Sequence, residues 1–443
     1  MLLVMMMTNT IAIASALLPP VGQQLDIVDA RQLPLHKRLR ERWRSVLHPN
    51  SEAAFAWTSV NAPTTVVFAA MSSHGNGAVT ITASGRWRCL LFDDVEQGIA
   101  RVDRANGVAM PHVLGFEYLR VMAAAAMAFR SLQQPTPVDR MLCIGLGTGA
   151  LPGFLAHHFP FLNVDVVEID PVVVRAAREC LRCDLEVVRN NPRPEGAVEG
   201  AAASAQGGNV ASALYRVWEG DAAQYLDGIS YAASSAPAAP VASILLDAFD
   251  NAGETPKHLL SENFLRSCHD ALAPGGVIVC NFFNGPVGSA RRAALARCVR
   301  LFTQCVGPSY TMCVPGQEES VVLVARRPLV GGDPARPGMR ELMDGAQRAW
   351  AAAPGLRPRE ARRLTRNSFW AEALPRADDG DATSTLTDAD ATLILRELKP
   401  PPTTAGVAAS SFGALQDKLD EGSSACAAWM MYEEEEEEEE EDR

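Results

Sequence analysis

The chain has 443 residues, of which 48% are hydrophobic, so it is long enough for two domains with buried cores. Its net charge of −12 is concentrated at the end, because residues 433–443 contain nine Glu, one Asp and one Arg. The rest of the chain carries a net −3 and no basic excess, so we expect no nucleic-acid partner. Residues 401–443 are predicted to form a disordered acidic tail, since the like charges of residues 433–443 repel and nothing apolar lies among them.

The first 60 residues are predicted to be partly flexible, with a helix around Leu35–Leu47. Residues 1–18 are uncharged and apolar, but they lack the basic region of a secretory signal and the arginines of a transit peptide. They are also marginal in length for a membrane span. We therefore expect a cytoplasmic protein without a membrane partner, and import into an organelle stays open as an alternative.

A small β-rich domain is predicted for residues 61–112. The runs Thr64–Phe68, Ala78–Thr82 and Trp87–Phe92 are rich in β-branched and apolar residues, and glycines separate them. This pattern predicts a small antiparallel sheet. An apolar, alanine-rich helix is predicted next, over Val113–Leu132.

Residues 113–328 are predicted to form a doubly wound α/β domain, because short apolar strands alternate with helical stretches from Asp139 onward. We expect a mostly parallel, seven-stranded sheet in which a final hairpin supplies one antiparallel strand. The predicted strands cover residues 141–145, 164–168, 214–218, 242–247, 277–282, 309–314 and 320–325. The predicted helices cover residues 150–158, 171–182, 261–272 and 287–303, with a helical turn at 221–226.

Two further segments flank or interrupt this domain. A Gly- and Ala-rich insert at about 190–213 is predicted to be a disordered surface loop. Residues 329–400 are predicted to be a helical extension, with helices at Met339–Ala352 and Arg359–Ala373.

A glycine-rich loop, with Gly145, Gly147 and Gly149, follows the first strand of the α/β domain, and Glu168 ends the second strand. The glycines let the backbone approach a nucleoside, the next helix points its N-terminus at it, and Glu168 can accept hydrogen bonds from ribose hydroxyls. The loop also fits a dinucleotide motif. Asp221 ends a third strand and can accept from an adenine amine, which favours a single adenosine over two linked nucleotides.

Two carboxylates follow the fourth strand of the domain, in the sequence Asp247-Ala-Phe-Asp250. The carboxyl ends of parallel strands form the crevice in which α/β sheets bind ligands. Asp247 and Asp250 there can hold an ammonium group and accept its proton, while the structural alternative is that Asp247 is a cap and Asp250 is solvated. No metal site is predicted, because Cys180 and Cys183 lack a second ligand pair at zinc spacing.

The segment from about Leu91 to Asn281 resembles the spermidine synthase and class I S-adenosylmethionine-dependent methyltransferase superfamily. It is similar to bacterial spermidine-synthase-like proteins and to the spermidine-synthase-like half of a dual methyltransferase that modifies translation elongation factor 1A. The resemblance implies that Gln97, on the small sheet, covers the cofactor, that Tyr118 lies at the substrate site, and that the protein forms a homodimer. The motifs that carry it are Gly145–Pro152, Val167–Pro171, Asp247–Asp250, Pro256–Leu260, Asn263–Phe264 and Leu272–Val277.

One departure from the family bears on the reaction. The aminopropyltransferases of this superfamily carry an acid in the glycine loop where this chain has Thr148. An acid there pairs with the ammonium of decarboxylated S-adenosylmethionine and repels the carboxylate of S-adenosylmethionine itself. A neutral Thr148 beside a helix N-terminus favours S-adenosylmethionine, and thus methyl transfer to an amine on a small molecule or a protein.

Two alternatives to an amine methyltransferase stay open at this point. The first is an aminopropyltransferase of polyamine biosynthesis that uses decarboxylated S-adenosylmethionine, which the spacing of Asp247 and Asp250 favours and Thr148 opposes. The second is a non-catalytic scaffold that binds the cofactor.

Overall fold

The computed structural model describes parts of the chain that all lie within one compact unit, Met1–Arg396. Most of the predictions for residues 1–60, the insert at 190–213 and the tail at 401–443 lie outside the described residues. The proposed domain boundaries stay predictions. The described residues are 24–25, 55, 62–133, 139–188, 213–235, 240–283, 289–314, 317–330, 339–351, 353 and 371–373.

The first sheet is antiparallel, with five strands in the order β1-β2-β3-β4-β5. Val66, Ile81 and Leu90 are buried on it, as the alternating apolar pattern of these strands requires. The predicted small antiparallel sheet is confirmed, but the strand that carries Gln97 was not predicted. The strands are β1 (Gln24–Leu25), β2 (Thr64–Met71), β3 (Ala78–Ser84), β4 (Trp87–Phe92) and β5 (Val95–Arg101).

The second sheet has nine strands in the order β14-β12-β13-β11-β10-β6-β7-β9-β8. The strands from β11 to β8 are all parallel, and β13 inserts antiparallel between β11 and β12. The mixed, mostly parallel α/β fold is confirmed. The strands are β6 (Arg140–Ile144), β7 (Asn163–Glu168), β8 (Leu185–Val188), β9 (Tyr215–Glu219), β10 (Val241–Leu246), β11 (Leu272–Phe283), β12 (Ser309–Val314), β13 (Gln317–Arg326) and β14 (Ala371–Ala373).

Seven of these nine strands correspond to the strands predicted from the sequence, and β8 and β14 add one short strand to each edge. The predicted helix at Arg359–Ala373 is wrong at its end, because Ala371–Ala373 pairs with Tyr310–Met312 as strand β14. Pairing with strand β12 satisfies backbone N–H and C=O groups that would otherwise form hydrogen bonds within a helix, so the tertiary contact overrides the local helix propensity. Strand β11 also begins at Leu272, five residues before the predicted start.

Helices pack around the large sheet. In α1, four consecutive alanines, Ala123–Ala126, are inaccessible to solvent and let the helix lie close to β11. None of the helices in the described part of the chain is long and apolar enough to cross a membrane. The helices are α1 (Glu117–Arg130), α2 (Ala150–His158), α3 (Pro171–Glu179), α4 (Ala222–Ser235), a 3₁₀ turn (Lys257–Leu260), α5 (Glu262–Ala271), α6 (Ala290–Cys305) and α7 (Met339–Ala351).

Candidate active site

The glycine loop connects β6 to α2 and is held between the ends of neighbouring strands. Gly145, Gly147 and Gly149 have φ angles of 95°, 52° and 72°, a region that favours glycine. A Cβ atom on Gly145 would lie 2.4 Å from the carbonyl oxygen of Asp247, whereas one on Gly147 would have its nearest neighbour at 3.9 Å. The loop is therefore tightly packed at Gly145 and open at Gly147.

Glu168, the last residue of β7, holds this loop through its buried carboxylate. Its Oε2 accepts from the Leu146 amide at 2.8 Å, and its Oε1 accepts from the Asp170 amide at 2.9 Å. Burial raises the pKa of Glu168, and the hydrogen bonds from the Asp170 and Leu146 amides partly offset that rise. A carboxylate has about four lone-pair sites, so Glu168 keeps capacity to accept from a ribose hydroxyl.

Asp247 lies directly after β10, at the carboxyl end of the parallel strands. The residue is half-buried, but its Oδ1 is fully buried and has no hydrogen-bond partner among the described residues. Its Oδ2 lies 3.4 Å from the hydroxyl of Tyr118. Burial raises the pKa of Asp247 to about 7, while the neighbouring Asn281 side chain and the Tyr118 hydroxyl act to lower it. Asp247 can therefore accept a proton near neutral pH, and a donor N–H would satisfy Oδ1.

Asn281, which the sequence analysis did not single out, lies beside Asp247. Leu246 pairs with Cys280 in the parallel β10–β11 register, so the two polar residues are the next neighbours along their strands. Asn281 is only 4% exposed, and its Oδ1 has no hydrogen-bond partner in the described structure. One feature of the sequence could have indicated it: Asn281 is a single amide at the end of an otherwise apolar strand, and that strand neighbours the one that leads to Asp247.

The small sheet contributes its strand β5 to the same place. The side-chain amide of Gln97 donates to the carbonyl of Asp250 at 3.3 Å, and the hydroxyl of Thr148 donates to the carbonyl of Ile99 at 3.3 Å. A Cβ on Gly98 would lie 3.3 Å from the Thr148 side chain, so β5 and the glycine loop are in direct contact. Thr148 is thus a buried, neutral residue whose hydroxyl is already hydrogen-bonded.

Six of the ten predicted site residues line one cleft between β5, α1, the glycine loop and the end of β10. A seventh, Glu168, is not among the lining residues, and its Oε2 accepts from the Leu146 amide of the loop. Gly149, which precedes α2, makes no side-chain cap, so the N-terminus of this helix is free to interact with an anion. The six lining residues are Gln97, Tyr118, Gly145, Gly147, Thr148 and Asp247.

Asp221 and Asp250 have local structural roles. Oδ1 of Asp221 accepts from the Ala223 amide at 2.7 Å at the start of α4, and its Oδ2 lies 3.2 Å from Nε2 of His258. Oδ1 of Asp250 accepts from the amides of Ala252 and Glu254, at 2.9 and 3.0 Å, and thereby closes a tight turn. The roles of Asp221 toward adenine and of Asp250 toward an amine stay predictions.

Comparison with solved structures gives likenesses of low sequence identity, and no family model matches the chain. A probable spermidine synthase from Corynebacterium glutamicum is 16% identical, with a TM-score of 0.45, over 68% of this chain and 94% of that chain. Human methyltransferase-like protein 13, in complex with SAH, is 20% identical, with a TM-score of 0.40, over 62% of this chain and 99% of that chain.

A curated relative is similar over a shorter segment. It is a polyamine aminopropyltransferase of Vibrio vulnificus, 31% identical over 169 residues, which are 38% of this chain. The chain matches 44% of the length of that relative. This match confirms that the chain resembles a polyamine aminopropyltransferase over that segment.

Proposed function

We propose that this protein is an S-adenosylmethionine-dependent methyltransferase that acts on an amine. The observation that carries the proposal is the buried Oδ1 of Asp247, which lacks a hydrogen-bond partner in the described structure and lines the same cleft as the glycine loop. A buried acceptor without a partner is costly, and an amine N–H would remove that cost.

The residues around the cleft fit an adenosyl compound. The open side of Gly147 leaves room for a ligand, and Glu168 retains capacity to accept from a ribose hydroxyl. The uncapped N-terminus of α2, next to the neutral Thr148, suits the carboxylate of S-adenosylmethionine. When bound, S-adenosylmethionine would supply a methyl group on its sulfonium; the lone pair of a neutral amine would form a bond to the methyl carbon as the carbon–sulfur bond breaks, and S-adenosylhomocysteine would leave.

The chain's own contribution to this reaction is positioning and proton removal. Asp247, with a pKa raised to about 7, binds the ammonium form of the acceptor and takes its proton, which makes the amine nucleophilic. Tyr118 holds the carboxylate from the side of α1. Alignment of two bound reactants can supply about 7–11 kcal/mol of a displacement barrier, so the precise placement of these groups accounts for most of the catalysis.

A second candidate function is aminopropyl transfer from decarboxylated S-adenosylmethionine, as in polyamine biosynthesis. The curated relative, named a polyamine aminopropyltransferase, favours it. Thr148 opposes it, because the loop then offers no acid to the ammonium that distinguishes decarboxylated S-adenosylmethionine. The acceptor, whether a small molecule or a protein, the cytoplasmic location and the homodimer stay predictions.

A cofactor comparison separates the two functions. Binding of S-adenosylmethionine and of its decarboxylated form is measured by calorimetry for the wild type, Thr148→Asp and the neutral control Thr148→Ser. We expect the wild type and Thr148→Ser to prefer S-adenosylmethionine and Thr148→Asp to prefer the decarboxylated form. Tritium transfer from methyl-labelled S-adenosylmethionine to an amine supports methyl transfer, whereas putrescine-dependent release of methylthioadenosine by the wild type would favour the second function. Equal binding of both forms by all three proteins would contradict the role given to Thr148.

A further inference from the structure

Ser72, at the tip of the β2–β3 hairpin, is hydrogen-bonded to the turn that follows β7. Its hydroxyl donates to Oδ2 of Asp170 at 2.5 Å and accepts from the amides of His74 and Asn76, at 3.0 and 3.2 Å. A hydroxyl has one donor and two acceptor sites, so Ser72 uses its full capacity in these three bonds. The Ser72 hydroxyl therefore joins the hairpin tip to Asp170, and the Ser73 amide adds a longer hydrogen bond to Oδ1 of Asp170, at 3.4 Å.

Asp170 connects this hairpin to Glu168. Its carboxylate is completely buried, and Oδ1 accepts from the Val172 amide at 3.0 Å, which caps helix α3. The backbone amide of the same residue donates to Oε1 of Glu168 at 2.9 Å. A continuous series of hydrogen bonds thus runs from Ser72 through Asp170 and Glu168 to the Leu146 amide of the glycine loop.

Packing supports the same connection. Helix α3, which begins directly after Asp170, lies against β2 and β3. The guanidinium of Arg175 on this helix lies 5.2 Å from the ring centre of Phe68 on β2. The hairpin is therefore seated on the turn after β7, separately from the contacts that β5 makes with the glycine loop.

We infer that Ser72 and Asp170 are positioning residues that orient the Glu168 carboxylate toward the ribose of the bound nucleoside. This inference rests on the proposed function, which assigns the ribose to Glu168. Loss of the Ser72 hydroxyl leaves a buried carboxylate oxygen of Asp170 without its donor, so the turn has to rearrange to find another. The Asp170 amide moves with that turn, and the hydrogen bond that fixes Oε1 of Glu168 is weakened.

The test compares two ligands that differ only in the ribose. Calorimetry measures the binding of 5′-methylthioadenosine and of its 2′,3′-dideoxy analogue to the full chain and to Ser72→Ala. We expect Ser72→Ala to weaken the binding of 5′-methylthioadenosine by about 3- to 10-fold, the usual effect of one lost hydrogen bond. The affinity for the dideoxy analogue should not change. Ser72→Thr, which keeps the hydroxyl, should restore wild-type binding.

Ser267→Ala is the matched control, because it removes a hydroxyl-to-carboxylate hydrogen bond to Asp227, of 2.9 Å, outside the cleft. It should change the binding of neither ligand. If Ser72→Ala loses the same affinity for both ligands, or loses none, the inference is overturned while the proposed function stands. A wild type that binds no adenosyl compound would overturn the proposed function as well. If Ser72→Ala does not fold, Ser72→Cys serves, since a thiol keeps the size of the side chain but donates weakly.

Discussion

The hydroxyl of Tyr118, on helix α1, lies 3.4 Å from Oδ2 of Asp247, at the end of strand β10. Two opposing effects meet at this carboxylate. Burial raises its pKa to about 7, and the neighbouring Asn281 side chain and the Tyr118 hydroxyl stabilise the ionised form and lower it. The balance places the ionisation of Asp247 near neutral pH, where a general base is most effective.

Tyr118→Phe should therefore shift the pH dependence of transfer. In the wild type, kcat/KM should rise with pH through about 7, as Asp247 loses its proton. Without the hydroxyl, the midpoint of this rise should move upward by about half a unit to one unit, because the ionised form loses a donor. Tyr225→Phe is the control, since the Tyr225 hydroxyl accepts from Arg140 at 2.9 Å outside the cleft. If Tyr118→Phe lowers the maximum of kcat/KM but leaves the midpoint of its rise with pH unchanged, this role of Tyr118 is contradicted.

Asp247→Asn should abolish most of the activity, whereas Asp250→Asn should not. Removal of a general base typically costs about 10²–10⁴-fold in rate. An Asn at position 250 can still accept from the amides of Ala252 and Glu254, so the turn should persist and the rate should change only a few-fold. Single-turnover rates with saturating cofactor and amine distinguish the two variants. Equal losses would mean that the turn, and not proton transfer, limits the reaction.

Asp247 should also make the stability of the ligand-free protein depend on pH. The folded protein holds this proton more tightly than the unfolded chain, whose carboxyl has the ordinary pKa of 3.8. The stability that the group contributes is thus fully present below pH 3.8 and is lost as pH rises through about 7. Asp247→Asn removes this loss of stability with rising pH, because an amide does not titrate.

The measurement is denaturant unfolding of the wild type and Asp247→Asn at a series of pH values. The two free energies of unfolding should agree near pH 4, and the variant should be more stable by up to about 4 kcal/mol at pH 8. A difference that is constant over this range, or that shrinks as pH rises, would show that the proton of Asp247 is not held more tightly in the folded protein.

Local sequence patterns were sufficient for most of the elements that position the site. The helix Ala150–His158 was predicted with its observed bounds, and Gly149, which precedes it, adopts a left-handed backbone conformation. Asp247 was placed correctly at the end of a strand that is buried throughout. These features depend on residues close together in sequence, so the hydrophobic periodicity and the positions of glycines are enough to predict them.

The rest of the site depends on contacts between residues far apart in sequence. The pairing of Asp221 with His258 and the hydrogen bond from Ser72 to Asp170 join different elements, so no local pattern predicts them. The short strand Ala371–Ala373 exists through its pairing with β12 and was mistaken for the end of a helix. Asn281 lies beside Asp247 because β10 and β11 are neighbours in this register. Apolar runs in the sequence alone do not determine strand order or register, so they could not predict this neighbour.

Gly145→Ala should disrupt both the fold and the cleft, because the new Cβ would lie 2.4 Å from the Asp247 carbonyl oxygen. The matched control is Gly107→Ala: Gly107 has a similar positive φ, 72°, and a Cβ added there would meet no heavy atom of another element within 4 Å. Both variants bear the cost of a left-handed alanine, about 1–2 kcal/mol, but only Gly145→Ala must also displace backbone. Denaturant unfolding should show a loss at least about 2 kcal/mol greater for Gly145→Ala, and 5′-methylthioadenosine should bind only the control. Similar losses in the two variants would mean that the loop can move away from Asp247, and the close packing of these two strand ends would then not be what shapes the site.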